Sequence, residues 1–192
     1  VPPPRETLDE VLLSPRLALI ALPGPVIEEV LGGGWQAFHE HVGVAYPRGW
    51  PAQDHHVLEL RRDQIREGTD HRWLLRAAVT RSQPTMVGRV GFHDPPDADG
   101  VVEIGYRIDA GHRRQGFASE CAKRLIESAE QTGHVSAVRA SIAPDNAPSL
   151  QIAERLGFHR IGERIDEIDG LEYVFERKAA SKDRGASQES RL

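Results

Sequence analysis

One cysteine, Cys121, stands in 192 residues. That excludes an internal disulfide framework and any zinc site built on a cysteine cluster, and it suits a reducing compartment. Long apolar runs are missing too. Nothing approaches the ~18 consecutive apolar residues that span a bilayer, and the longest candidate, 17–27, is interrupted by Pro23, Gly24 and Pro25. Positive charge is in deficit: 24 Lys+Arg against 29 Asp+Glu give a net charge of −5, which disfavours a general nucleic-acid binder, whose surface is usually basic. The first residues, with Pro2, Pro3, Pro4 and Arg5, lack a signal-peptide pattern. No internal repeat of roughly 20–50 residues is present. Walker G-x-x-x-x-G-K-S/T, a G-x-G-x-x-G after a strand and the G-x-S-x-G elbow are all absent. The expectation is a cytoplasmic protein with no membrane or nucleic-acid partner.

What remains is ordinary for a globular chain: 39% hydrophobic, with 18 Gly besides, and 28% charged. At about 100–200 residues per domain this is one domain, expected over 1–178, followed by a small, polar tail at 179–192. Residues 16–22 read as a first strand stopped by Pro23-Gly24-Pro25. Residues 25–42 read as one or two short helices broken at Gly32-Gly33-Gly34, and 43–53 as a loop. Asp54 is expected to cap a surface helix running to Glu67. The period then changes. Segments 73–80, 86–93 and 101–109 are β-rich and separated by turn residues, which predicts an antiparallel meander. In the third, Val102, Ile104, Tyr106 and Ile108 share one face, and Val101, Glu103, Gly105 and Arg107 the other.

Residues 117–131 are the clearest helix, with Ala118, Cys121, Ala122, Leu125, Ile126 and Ala129 in one apolar stripe. A strand at 136–143, a short helix at 149–156 and two strands near 158–167 and 171–177, joined at Asp169-Gly170, complete the chain. This order predicts a mixed α/β or α+β domain, with helices on a central sheet. The unit from 101 to 143 should be a right-handed parallel crossover.

The informative turn is Arg113-Arg114-Gln115-Gly116-Phe117-Ala118. A strand ends, a cationic glycine loop follows, and a helix begins. Free N–H groups at a helix N-terminus, with the helix dipole, bind anions. Gly116 admits a phosphate close to the backbone, and Arg113 and Arg114 add charged donors. A phosphate or pyrophosphate seat and an ordinary exposed basic turn are both open readings here.

The same residues resemble the pyrophosphate loop of GNAT-superfamily N-acetyltransferases, usually Gln/Arg-x-x-Gly-x-Gly/Ala. Glu103-Ile104-Gly105-Tyr106 is similar to the strand before that loop. Asn146-Ala147-Pro148-Ser149 and Ala153-Glu154-Arg155-Leu156-Gly157-Phe158 resemble the later helix. Ser14-Pro15-Arg16-Leu17 and Trp50-Pro51 look like the RimJ/RimL-like branch, the ribosomal-protein N-terminal acetyltransferase-like group. The resemblance covers about 14–177. It implies a GNAT fold, with a central mixed, mostly antiparallel sheet flanked by helices, and acetyl-CoA as co-substrate without a metal.

By position, the resemblance assigns the pantetheine arm to the strand end at Ile108 to Ala110. The CoA pyrophosphate falls to Arg113, Arg114, Gln115, Gly116, Phe117 and Ala118, pantetheine to Asn146, and the thioester sulfur to Ser149. A family bulge would open the sheet at Gly105 or Gly111. Two departures stand out: Ala153 replaces the tyrosine acid of many members, leaving Ser149 as its substitute, and Arg114 stands where many have glycine. Transfer would be direct, an amine attacking the thioester. An α-amino group has pKa near ~7.7–8.0 and a lysine near ~10.4, so the need for a base differs. Glu103 is the candidate base, against a solvated or arginine-paired strand glutamate; Arg107, roughly 13 Å along the strand, is not an obvious partner.

Other residues carry plainer expectations. Cys121 reads as a buried core cysteine. His39, His41, His55 and His56 have no metal-ligand spacing on a helix. Trp50 either lines a substrate pocket or caps the core edge. Arg155, Arg160 and Arg164 read as a solvated basic run rather than a contact to the CoA 3′-phosphate. The acceptor is a protein N-terminus or a small amine. A CoA-binding module that has lost transfer is the alternative, and a homodimer is allowed.

Overall fold

The computed structural model describes residues 7–167 and 170–180. Two short strands, β1 (Val11–Leu13) and β2 (Leu17–Ala21), pair antiparallel across Ser14-Pro15-Arg16. Four helices follow: α1 (Gly24–Leu31), α2 (Gln36–Val42), α3 (Trp50–Gln53) and α4 (His55–Arg66). The meander is β3 (Leu75–Thr80), β4 (Met86–Phe92) and β5 (Val101–Ile108), antiparallel throughout. The long helix α5 (Phe117–Thr132) leads to β6 (Ala137–Ile142), then α6 (Ala147–Arg155), β7 (His159–Asp166) and β8 (Gly170–Lys178). One eight-stranded sheet results, in the order β1-β2-β3-β4-β5-β6-β8-β7.

Both faces of the sheet's middle are covered, which is why β3 reads as a nearly continuous apolar run. Ala78 of β3 belongs to the core under α5, with Val87, Val102, Cys121, Leu125 and Val138. Its neighbours Ala77 and Val79 point into a second core under α1 to α4, with Ile27, Phe38, Trp50 and Leu58. The alternation of strand side chains thus sorts one segment between two cores. Arg76 is fully buried and donates to the carbonyls of Asp9, Glu10, Leu19 and Arg72, fastening the segment before β1 to β3.

The expected elements at 16–22, 25–42, 117–131, 136–143 and 149–156 all form, within a residue or three. Four points differ. β1, three residues long, is too short to show a period. The loop at 43–53 contains the single turn α3. Asp54 precedes α4 but makes no side-chain cap, because its carboxylate is held elsewhere. Residues 168–169, half of the expected Asp169-Gly170 turn, and 181–192 of the tail lie outside the described residues.

What opens the sheet is not a bulge at Gly105 or Gly111. Gly105 pairs in regular register with Gly91, and Gly111 sits in a 3-10 turn, Ala110–His112. The register step lies instead on β4, where the partners of Ala78 and Val79 are Gly88 and Met86. A Cβ on Gly88 would strike the Arg107 carbonyl oxygen and Ile108 Cα, so only glycine lets β5 approach there. The opening itself comes from the parallel ladder between β5 and β6, which joins only Val101–Glu103 to Ala137–Arg139. Beyond Glu103 the two strands diverge, and that edge of β5 is left unpaired. The helices α5 and α6 flank the gap.

Candidate active site

The anion seat is built by local backbone geometry. After the turn at Ala110–His112 the chain passes through Arg114 at φ +60° and Gly116 at φ +82°. Gly116 is the N-cap of α5, and the first helical bond there is Glu120 N–H to Gly116 O at 3.1 Å. The N–H groups of Phe117, Ala118 and Ser119 precede that bond and face outward at the positive end of a helix of 16 residues.

The loop is braced from behind by Arg16, at the β1–β2 turn. Its Nη1 donates to Gln115 O at 2.9 Å, its Nε to Glu120 Oε2 at 2.7 Å, and its guanidinium lies 4.6 Å from the Phe117 ring centroid. Glu120 also accepts from Ser14 Oγ at 2.6 Å and from Arg16 N–H at 2.8 Å. Burial works to raise the Glu120 pKa, but these hydrogen bonds outweigh it and hold the carboxyl below the usual glutamate value. The sign follows by linkage: the brace is complete above the ordinary glutamate pKa and is lost as pH falls through the lowered one. Glu120→Gln keeps the shape but removes the charge. It is expected to weaken acetyl-CoA binding roughly tenfold, about 1.4 kcal/mol, at neutral pH in a calorimetric titration; unchanged affinity would show that the brace does not set the loop.

A cleft of about 910 Å³ runs from this loop to the start of α6. Ile108, Ala110, Arg113, Arg114, Gly116, Phe117, Ala118, Asn146 and Ser149 all line it. Gln115 does not; its carbonyl faces Arg16 on the far side. Arg113 bends back, its Nε donating to Ile108 O at 2.9 Å. Arg155 lines the same cleft, so it is set apart from Arg160 and Arg164. Asn146 caps α6, its Oδ1 accepting from Ser149 N–H at 3.3 Å.

A second cleft, about 780 Å³, opens on the other side of the sheet gap, between α4, β5 and β7. Tyr106, Arg107, Asn146 and Ser149 line both clefts, so the two meet there. The Tyr106 hydroxyl is hydrogen-bonded to Ser149; burial pushes its pKa up, and the bond to Ser149 works the other way. Glu103 faces the second cleft. Its carboxylate takes a two-pronged contact from Arg164, at 3.1 and 3.2 Å, and Arg164 reaches Glu172 at 2.9 Å. The imidazole of His93 stands 3.7 Å away.

Trp50 is not brought to this site. It is 2% exposed and lines neither cleft, packing in the core against Phe38 and Tyr46 at ring distances of 5.6 and 5.7 Å. Cys121 is buried in the α5 stripe, its thiol pushed up to about 12 by burial, with Glu120 adding to the effect. His41 hydrogen-bonds Ala21 O at 2.8 Å and His39 packs edge-on to Trp35. Three features escape a sequence reading. Tyr106 counts there as an apolar-face residue and as the end of the motif Glu103-Ile104-Gly105-Tyr106, without a role of its own. His93 sits at a strand end without motif. Asp54 is 3% exposed and joins Arg89 at 2.9 Å and Arg107 at 3.1 Å, forming one wall of the second cleft.

Residues 35–159 match the family model of the acetyltransferase (GNAT) domain. The chain belongs to this family. Among curated GNAT relatives, the uncharacterized N-acetyltransferase YjdG of Bacillus subtilis is 36% identical over 86 residues, 45% of this chain and 49% of that one. The ribosomal-protein-serine acetyltransferase of Escherichia coli is 32% identical over 73 residues, 38% of this chain and 41% of that one. The chain thus spans about half the length of these relatives. RimL, a ribosomal-protein alpha-N-acetyltransferase solved in complex with coenzyme A, superposes with a TM-score of 0.61 at 16% identity, covering 88% of this chain and 98% of that one. The mixed α/β GNAT fold, its mostly antiparallel sheet flanked by helices, is therefore shown. No helix among the described residues is long and apolar enough to cross a membrane.

Proposed function

We propose that the protein moves an acetyl group from acetyl-CoA to an amine, and that the amine is the α-amino group of a peptide or protein. The observation that carries this reading is the meeting of two clefts at Tyr106, Asn146 and Ser149, one ending in a helix N-terminus and the other lined by His93 and Glu103. The first fits acetyl-CoA. The N–H groups of Phe117, Ala118 and Ser119, with Arg114 and Arg155, suit its phosphates. The unpaired edge of β5 near Ile108 suits an extended amide chain, as an added strand would. Asn146 and Ser149 stand where the two clefts join.

Acetyl-CoA supplies the acetyl group as a thioester. The residues then have three tasks: to exclude water at the junction, to receive a proton from the amine, and to give one to the departing sulfur. A thiol of ordinary pKa ~8.5 is a tolerable leaving group, so the hydrogen-bonded Ser149 and Tyr106 hydroxyls suffice as the proton source on that side. The pair His93 and Glu103 faces the acceptor cleft on the other. An α-amino acceptor is supported by the likeness to ribosomal-protein acetyltransferases and by its pKa, near ~7.7–8.0, which leaves a useful neutral fraction at neutral pH.

The test is thiol release from acetyl-CoA with a panel of amines: short peptides with free Ser, Ala or Met at the N-terminus, the same peptides with blocked N-termini, and spermidine. Turnover confined to free N-termini is the expected result. Turnover of spermidine alone would move the acceptor to small amines, and turnover of none would contradict transfer to an amine.

A further inference from the structure

We infer that His93 is the catalytic base that takes the proton from the acceptor amine, and that Glu103 is the positioning residue that orients it. The inference rests on the amine-acetylation reading and deepens it. It starts from strand register. Phe92 of β4 pairs with Ile104 of β5, so the next step sets His93 across from Glu103, and the His93 N–H donates to Glu103 O at 2.8 Å. Residues opposite each other in an antiparallel pair share a face, and this face lines the acceptor cleft. The imidazole leans over Gly105: its Nε2 lies 3.0 Å from where a Cβ on that glycine would stand. The missing side chain is the ring's seat. Behind the ring, the His93 carbonyl accepts from Arg61 Nη1 at 2.7 Å and Gln64 Nε2 at 2.9 Å, which fixes the strand end to α4.

The two candidates for the base are differently occupied. Glu103 is ion-paired with the Arg164 guanidinium, Nη1 donating to Oε2 at 3.2 Å and Nη2 standing 3.1 Å from Oε1, so its charge is already matched by a fixed cation. Glu103 Oε1, which accepts no hydrogen bond among the described residues, stands 3.7 Å from His93 Nδ1. With Nδ1 as the ring nitrogen nearer the carboxylate, we assign the proton to Nδ1, which leaves the lone pair on Nε2, above Gly105 in the lining of the cleft. The His93 side chain is 44% exposed, so an acceptor can reach it. The charged groups facing the ring are Glu103 on β5, Arg61 on α4, Arg164 on β7 and the adjacent Asp94. Burial lowers the His93 pKa most, Arg61 and Arg164 lower it further, and Glu103 and Asp94 oppose them; the balance lies below the usual histidine value. The ring is thus neutral at neutral pH and free to accept.

In the step, the amine nitrogen forms the bond to the acetyl carbon, and the carbon–sulfur bond breaks with its electron pair going to sulfur. The proton shed by the nitrogen goes to His93 Nε2, and sulfur takes one from the Ser149–Tyr106 side.

Two measurements on the full chain test this. Long-range proton–nitrogen NMR of the histidine-labelled protein should show His93 neutral at pH 7, protonated at Nδ1, with a midpoint below ~6.5 that falls further in Glu103→Gln. In thiol release, His93→Gln should lower kcat at least ~100-fold, within the range of general-base catalysis. It should also remove the acid limb of the pH profile and leave the acetyl-CoA dissociation constant unchanged. Glu103→Gln should retain more activity than His93→Gln and move that limb to lower pH. His93 charged or protonated at Nε2 at pH 7 would overturn the assignment. So would a His93→Gln variant within threefold of the parent and with the same acid limb. Parent protein that acetylates no amine overturns the underlying reading as well, which separates the two failures.

Discussion

Gly116→Glu is expected to weaken acetyl-CoA binding at least ~100-fold, about 2.7 kcal/mol, without unfolding the protein. Two effects add. Gly116 sits at φ +82°, where an L side chain costs about 1–2 kcal/mol, and its Cβ would stand 3.3 Å from Arg16 Nη2. The introduced carboxylate can therefore draw Arg16 away from Glu120 and Gln115, loosening the brace behind the loop. It also places negative charge at the N-terminus of α5, where the helix dipole would otherwise favour the phosphates. Gly116→Ala separates the two: it carries the strain without the charge and should lose only severalfold in affinity. Calorimetric titration of both variants checks this. Parent-like binding by Gly116→Glu would mean that the phosphates dock elsewhere.

Asp54→Ala is expected to have the largest effect on stability, a loss of roughly 3–5 kcal/mol. The Asp54 carboxylate is 2% exposed and lies between Arg89, 17% exposed, and Arg107, 36% exposed. Removing it leaves two guanidinium groups side by side without the carboxylate they share in a half-buried wall. For a chain of this size each kcal/mol moves Tm by roughly 2–4 °C, so a drop of about 10 °C is the expected reading by calorimetry. A loss under ~1 kcal/mol would show that Arg89 and Arg107 are satisfied by water. Because Arg107 lines both clefts, Asp54→Asn, which keeps the volume, should also raise KM for the acceptor more than for acetyl-CoA.

Much of this arrangement is legible in the amino-acid sequence, and the reason is range. The loop at 113–118 and the apolar stripe of α5 are local patterns: a glycine with positive φ, a helix start and a 3.6-residue period lie within a few positions of each other. The meander is local as well, since β3, β4 and β5 are joined in sequence. Asn146 and Ser149 are fixed by their own helix cap. What fails to show is what pairs across distance. Asp54 looks like a cap because it precedes α4, yet its partners lie 35 and 53 residues away. Glu103 meets Arg164 at a separation of 61 residues, so the arginine that pairs this strand glutamate comes from a basic run that looks solvated. His93 faces Glu103 only once the β4–β5 register is known, and the turn between them, residues 94–100, is too long for its sequence to set that register. Trp50 leaves two readings open in sequence, a pocket residue or a cap on the core edge, and the turn α3 decides between them by carrying it into the core beside Phe38 and Tyr46.

The same contrast explains why the opening of the sheet is misplaced by sequence. Glycines on β5 are visible, and a bulge is the simplest use for one. The actual use of Gly105 is to seat the His93 ring, and the close approach of β5 to β4 falls to Gly88. The gap that both clefts share arises because the β5–β6 ladder stops after Glu103, a property of two strands rather than of one residue.

Calorimetric titration of the full chain with acetyl-CoA decides whether the first cleft takes acetyl-CoA at the N-terminus of α5. Saturable binding of one acetyl-CoA per chain is expected, abolished or strongly weakened in Gly116→Glu and unchanged in His93→Gln. Absence of heat up to millimolar acetyl-CoA, under conditions where the protein is folded, would contradict it.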